Sequence, residues 1–330
     1  MSPLSWFLSS EEVDIQWNPS TVVSIGHNTL LASDGTHIKR LEFELGGHKA
    51  RCQVTDVGSI LCTGGNVRLV GGEGKVFALG VRLDMKRSFN LRAGHLFIHT
   101  CNTDSDTLSP DTNSGKHDDT TVSPIPMIWF HSTIVDGHLV LFGGHREISR
   151  AGQKLGHSSD MWVLDTEAEA EGEGWSRVSL PASHSQGLSR CLYTYDTGSF
   201  LGFSWTDALR ISLDGSVTRE PVSYPNGDKW SVGKTVAMCE VGGGLCIFRA
   251  ETIQPEGTRG TRVYMYDIVT NEVTLCEDLP SDGVVVSVCM LNPTTMLVVQ
   301  PGALSIVKLD PLLADRWNTI DNLDSSTYDT

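Results

Sequence analysis

The run His131-Ser-Thr-Ile-Val-Asp-Gly-His-Leu-Val-Leu-Phe-Gly-Gly144 is followed by a loop, by Asp160-Met-Trp-Val-Leu-Asp165 and by Trp175-Ser-Arg-Val178. An apolar run ends on a glycine pair, an alternating run ends on Asp, and a Trp opens a last run. Alternation with period two puts one side-chain set on each face of a strand. This order predicts one four-stranded antiparallel blade. A single blade cannot bury both of its faces, so the remaining chain must supply neighbours.

Aligning the chain on the glycine-ended strand gives further copies. Asn66-Val-Arg-Leu-Val-Gly-Gly72 repeats the pattern of His138 to Gly144. Weaker copies start at Asn28, Ser199, Gly244 and Thr295. Each is followed by a second alternating strand, and five of these end on Asp84, Asp165, Asp214, Asp267 and Asp310. An Asp at a strand end can accept hydrogen bonds from the backbone of the following turn. Trp175 and Trp317 sit where a large ring would fill the gap between blades, with Thr218 and Val273 near that position elsewhere.

With these motifs the chain resembles the kelch-repeat family, most strongly over 131–178 and also over 231–280. The resemblance implies an all-β fold, a β-propeller of six (alternatively seven) four-stranded kelch-like blades. Residues 1–320 are expected to form one domain and 321–330 a polar acidic tail. The longest step, from Asn66 to His138, contains the polar stretch 102–123, expected to be a disordered insert. A degenerate seventh blade around Gly94 to Thr100 is the alternative. Ring closure needs a strand from the other terminus. Val13-Asp-Ile-Gln-Trp17 is one candidate and Asp315-Arg-Trp317 the other.

Composition narrows the function. The 330 residues carry a net charge of -15, which opposes non-specific binding to nucleic acid or anionic membrane. No apolar run is long enough to span a bilayer as a helix. Eight cysteines form no CxxC pair and lie mostly in apolar runs, so reduced core thiols are expected in preference to a disulfide or metal framework. The start lacks a signal-peptide pattern, and a cytoplasmic location is expected, with the nucleus also open.

Enzyme motifs are scarce. Gly227 to Thr235 resembles a phosphate loop, but its glycine spacing is one residue too long and its setting is strand to strand. His95 and His99 share a strand face about 13 Å apart, too far to share an ion. Tyr264 and Tyr266 read as core aromatics. No cofactor, metal or catalytic residue is expected.

Charge placement gives the site candidates. The segments 145–157 and 249–262, read as loops between the second and third strands, are basic in an acidic chain. Arg146, Arg150, Lys154, Arg249, Arg259 and Arg262 could face an acidic or phosphorylated peptide, because guanidinium bonds carboxylate or phosphate bidentately. The competing reading is a solvated rim in which these arginines pair with Glu147, Glu251 and Glu256. The resemblance implies either of two functions. The first is a non-enzymatic adaptor that binds a protein partner through loops on one rim. The alternative is the propeller of an enzyme or enzyme complex: a metal-dependent or sugar-modifying kelch enzyme, or a relative of the propeller half of the wybutosine-forming tRNA methyltransferase.

Overall fold

A computed structural model describes residues 4–15, 17–46, 49–59, 67–72, 75–85, 91–102, 124, 127–128, 130–149, 154–158, 160–166, 175–180, 192–196, 198–203, 207–223, 234–241, 244–253, 258–279 and 283–311. All of its elements are strands. After β1 (Phe7–Val13), blade 1 contains β2 (Thr21–Gly26), β3 (Thr29–Ser33), β4 (His37–Glu44) and β5 (Arg51–Ser59). Blade 2 is built on β6 (Arg68–Gly72), β7 (Lys75–Met85) and β8 (Leu91–Asn102). Blade 3 holds β9 (His131–Val135) and β10 (His138–Phe142), then the hairpin β11 (His145–Ile148) and β12 (Lys154–His157), then β13 (Asp160–Asp165) and β14 (Trp175–Ser179). Blade 4 is β15 (Leu192–Asp196), β16 (Ser199–Phe203), β17 (Asp207–Ser212) and β18 (Val217–Pro221). Blade 5 is β19 (Lys234–Val241), β20 (Gly244–Ile253), β21 (Thr258–Tyr266) and β22 (Val273–Leu275). Blade 6 is β23 (Ser287–Asn292), β24 (Thr295–Gln300), β25 (Ala303–Leu309) and, as its outer strand, β1.

The chain is a six-bladed β-propeller. Inner strands touch in the order β2, β6, β9, β15, β19 and β23, and β23 returns to β2. Period-two alternation creates the contacts between blades. In β10, Leu139 and Leu141 join the core shared with blade 2, while Val140 and Phe142 join the core shared with blade 4. Six buried apolar clusters result, one between each neighbouring pair of blades. Packing is therefore between sheets, and no blade owns a core.

Blade 3 has the strand order β14-β13-β10-β9 expected for 131–178. Trp175, 9 % exposed, packs in the cluster between blades 2 and 3. Val273 fills the matching place between blades 4 and 5. In blade 4 Val217 packs inward and Thr218 is exposed, so the expected position was one residue off. Of the expected insert 102–123, Asn102 ends β8, and 103–123, like Trp317 and the tail 321–330, lie outside the described residues.

Blade 2 departs most from the sequence reading. The run Asn66 to Gly72 holds its first strand, not its second. The second is β7, which already contains Val81 to Asp84, so Asp84 does not end a third strand as Asp165 does. The glycine pair there has a different cause: a Cβ on Gly71 would come within 2.5 Å of Val23 Cγ2 on the neighbouring inner strand. Gly94 to Thr100 belongs to β8 and is not a seventh blade. Next to β8, the sheet continues into β11 and β12, a hairpin lent by blade 3.

Closure comes from the N-terminus, but from Phe7–Val13 and not Val13–Trp17. β1 pairs antiparallel with β25 from Phe7↔Leu309 to Val13↔Leu304. Ahead of it, Leu4 N donates to Leu275 O and Glu277 N to Leu4 O, which ties the strand to blade 5. Trp6 is 0 % exposed in the cluster between blades 5 and 6, and its indole Nε1 donates to Glu277 O at 2.7 Å. An indole can bury its ring only if its N–H finds an acceptor, and this one does.

Candidate functional face

Antiparallel strands give the ring two chemically different faces. On one, strands one and two of every blade are joined by two residues: 27–28, 73–74, 136–137, 197–198, 242–243 and 293–294. Asn28, Asp136, Gly137 and Gly198 there have φ of 54°, 46°, 69° and 72°, as the tight primed turns of hairpins demand. On the other face, strands two and three are joined by segments as different as 301–302 and 143–159. The blade-to-blade connections 60–67, 180–191, 222–233 and 276–286 begin and end there too, whereas the strand three-to-four connections 45–50, 166–174, 213–216 and 267–272 share the face of the two-residue turns. Rigid scaffolds present their variable, partner-selecting residues on such loops.

A set of buried polar residues lies at strand ends beneath this long-loop face: Ser33, His131, Arg249, Thr261 and Gln300. Ser33 Oγ accepts from Gly35 N at 3.1 Å. The His131 ring stacks on Phe142 at 4.9 Å. Thr261 Oγ1 donates to Gly283 O at 3.2 Å and accepts from Val285 N at 2.8 Å. A Cβ on Gly283 would lie 2.9 Å from Gln300 Nε2. Thr261 thus ties the connection between blades 5 and 6 to β21.

The six candidate cations do not form one exposed rim cluster. Arg146 lies on β11, exposed, with its Cβ 3.2 Å from the Cβ position of Gly156 on β12. Lys154 begins β12, and Arg150 lies outside the described residues. The segment 145–157 is thus a hairpin extending the sheet of blade 2, not a free loop. Arg249, Arg259 and Arg262 belong to the long strands β20 and β21, where Arg249 pairs in register with Arg262. Arg249 is 0 % exposed and Arg262 half-buried, so neither is a solvated rim arginine. Both segments do emerge on the same face of the ring.

Sequence reasoning missed the blade 2 extension. β6 pairs with β7 only as far as Arg68↔Leu79, while β7 and β8 continue past it to Met85↔Leu91. The signal was present, since the apolar run Val76–Val81 passes without a turn residue pair into the alternating Val81–Met85, but the glycine pair drew the reading to the wrong strand.

Other nucleophiles are poorly placed for chemistry. Cys52, Cys101, Cys239, Cys246, Cys276 and Cys289 are free, and all but Cys52 are buried. Burial pushes the Cys52 thiol up to about 11 and those of Cys101 and Cys276 to about 12. The thiolate is the nucleophile, so these behave as apolar packing groups. Tyr264 and Tyr266 are buried between blades 4 and 5. Of the phosphate-loop look-alike, Lys234 and Thr235 open strand β19, and 227–233 lie outside the described residues.

Asp34, in the turn after β3, is the clearest perturbed carboxylate. Burial opposes its ionisation. Hydrogen bonds from His37 N, the Trp17 indole, the His37 ring and Thr36 N outweigh that and hold it well below the usual range. Its role is to close the turn.

The sequence matches no protein-family model and no curated protein. Solved structures share the fold. The structure of YjhT superposes with a TM-score of 0.59 at 8 % identity, covering 90 % of this chain and 95 % of that one. A structural-genomics protein of unknown function from Bacteroides thetaiotaomicron gives 0.53 at 11 % identity, covering 94 % and 70 %. At such identities the likeness establishes the propeller architecture alone.

Proposed function

We propose that this chain is a kelch-type propeller that binds a protein partner through its long-loop face, without catalysing a reaction itself. The observation carrying this reading is the contrast between the two ends of the inner strands, with two-residue joins to the second strand at one face and the longer, unequal connections 60–67, 180–191, 222–233 and 276–286 at the other. Function is argued from that face because the fold alone does not specify it. Arg146, Arg150, Lys154, Arg259 and the half-buried Arg262 supply the cationic character that suits an acidic or phosphorylated peptide. Arg249, wholly buried on β20, is not among the groups that would meet the partner. Charge reversal of Arg146, Arg150 and Arg259 together is expected to abolish partner recovery in a pull-down while leaving Tm unchanged. An unchanged pull-down profile discards the basic face as the site.

A second reading, the propeller of an enzyme or enzyme complex, draws on the buried polar set Ser33, His131, Arg249, Thr261 and Gln300. Polar groups buried at the same ends of several blades are what a small-molecule site under the loops would use. Metal analysis of purified protein separates the two. Stoichiometric copper or iron supports the enzyme, and a metal-free protein that still retains its partner supports the adaptor.

A further inference from the structure

Blades 2 and 5 are three steps apart in either direction around the six-membered ring, so they face each other across its axis. They also carry the two longest pairs of central strands. β7 and β8 run 11 and 12 residues, and β20 and β21 run 10 and 9, where β10 and β16 have 5. Both extensions leave the ring on the long-loop face, because the strands meet at 73–74 and 242–243 on the other. β7 outruns its inner strand after Leu79, and β20 outruns β19 after Ala250. The hairpin β11–β12 widens the first arm through Glu147↔Arg92 and Ile148↔Leu91.

The arms are charged against the rest of the molecule. Their strand portions beyond the inner strands, 80–85, 91–97, 145–148, 154–157, 251–253 and 258–260, hold five Lys or Arg and three Asp or Glu. The whole chain has 25 against 40. Arg82, on the blade 2 arm, is 51 % exposed in its side chain and sits 3.2 Å from Asp84. An exposed pair of this kind contributes little and can exchange for a stronger acceptor.

We infer that the two arms are the walls of a single cleft across the ring axis, and that its occupant is an extended acidic polypeptide segment touching both walls. This rests on the reading of the long-loop face as the binding face and adds the blade 2 arm to it. An extended chain fits because two-stranded arms present strand edges whose backbone groups can pair with it. A long nucleic acid fits less well, since its uniform charge would also meet the acidic remainder of the ring. Strand spacing places the arms on the order of 30 Å apart, about nine extended residues. Bridging both walls makes the second contact intramolecular, so affinity should rise steeply once a ligand spans them.

The test uses fluorescein-labelled oligo-glutamates of five and of twenty residues, with a single-stranded oligo-deoxythymidine of twenty nucleotides, against the full chain at fixed salt. The twenty-residue peptide is expected to bind at least tenfold tighter than the five-residue one. Arg82→Glu on one arm and Arg259→Glu on the other should each bring the long peptide down to the affinity of the short one. Arg51→Glu, outside the arms, should change binding less than twofold, and circular dichroism should show every variant folded. If Arg259→Glu weakens binding and Arg82→Glu does not, the two-walled cleft is wrong while the binding face survives. If Arg51→Glu weakens binding as much as the arm variants, or no variant weakens it, both are wrong. Tighter binding of the oligonucleotide than of the long peptide overturns the polypeptide assignment.

Discussion

The two faces of this ring obey different rules although the same strands build both. On the short-turn face, each inner hairpin closes in two residues, and the residues there are those that tolerate positive φ. On the long-loop face, the turn of blade 6 spans 301–302 while the corresponding stretch of blade 3 spans 143–159 and folds into a hairpin on its neighbour. The lesson is that ring stability resides in the blade bodies and tight hairpins, which leaves the other ends free to vary. Loop-closure entropy makes that variation inexpensive, since each doubling of loop length costs only about 0.6 kcal/mol.

The largest effects are expected in the blade bodies. Trp6→Ala removes a wholly buried ring from the junction of blades 5 and 6 and leaves Glu277 O without its indole donor. A loss of about 3–5 kcal/mol is expected in denaturant unfolding. A loss below about 1 kcal/mol would show that the N-terminal segment does not close the ring.

Glycines at the two faces differ by a smaller amount. Gly144 belongs to the long-loop face yet is tightly constrained, with φ of +88° and its Cβ position 2.8 Å from Ile128 O. Gly26, at a tight turn, has nothing within 4 Å of that position. Gly144→Ala should lower stability by about 2 kcal/mol, while Gly26→Ala should stay within about 0.5 kcal/mol. Equal effects in thermal melts would dissolve the distinction between a crowded strand root and an open turn.

Acid sensitivity is a smaller difference. The folded state holds Asp34 below its ordinary value, so its contribution is complete above about pH 4 and fades as pH falls further. Asp34→Asn should therefore melt below the parent at pH 6, and the gap should narrow between about pH 4 and pH 2. A gap that widens toward acid would reverse the assignment. The smallest expected effect is on the arms, where Arg82→Glu should move Tm by less than about 2 °C, because exposed ion pairs contribute little.

Legibility followed the same divide. Asp214 and Asp267 marked turns correctly, and both accept backbone N–H groups two residues on. Gly143 and Gly144 marked a real strand root. Gly71 and Gly72 marked a different crowding, between inner strands, which a local pattern cannot separate from the first. Arg249 looked exposed because arginine usually is, yet on the long strand β20 it is wholly buried. Trp6 was unreadable as a core residue, because its neighbours are Cys276, Phe248 and Leu309, far along the chain.

The sequence by itself determined the propeller class and which side chains alternate inward, because period-two burial and turn chemistry are local properties of the chain, while the choice of six blades over seven came from the closed ring. The tertiary structure decided which strand stands where in blade 2, which hairpin extends it, which terminal residues close the ring and which arginines reach the surface. Those outcomes depend on pairing between segments distant in sequence, and edge strands accept whichever segment the closed ring brings beside them.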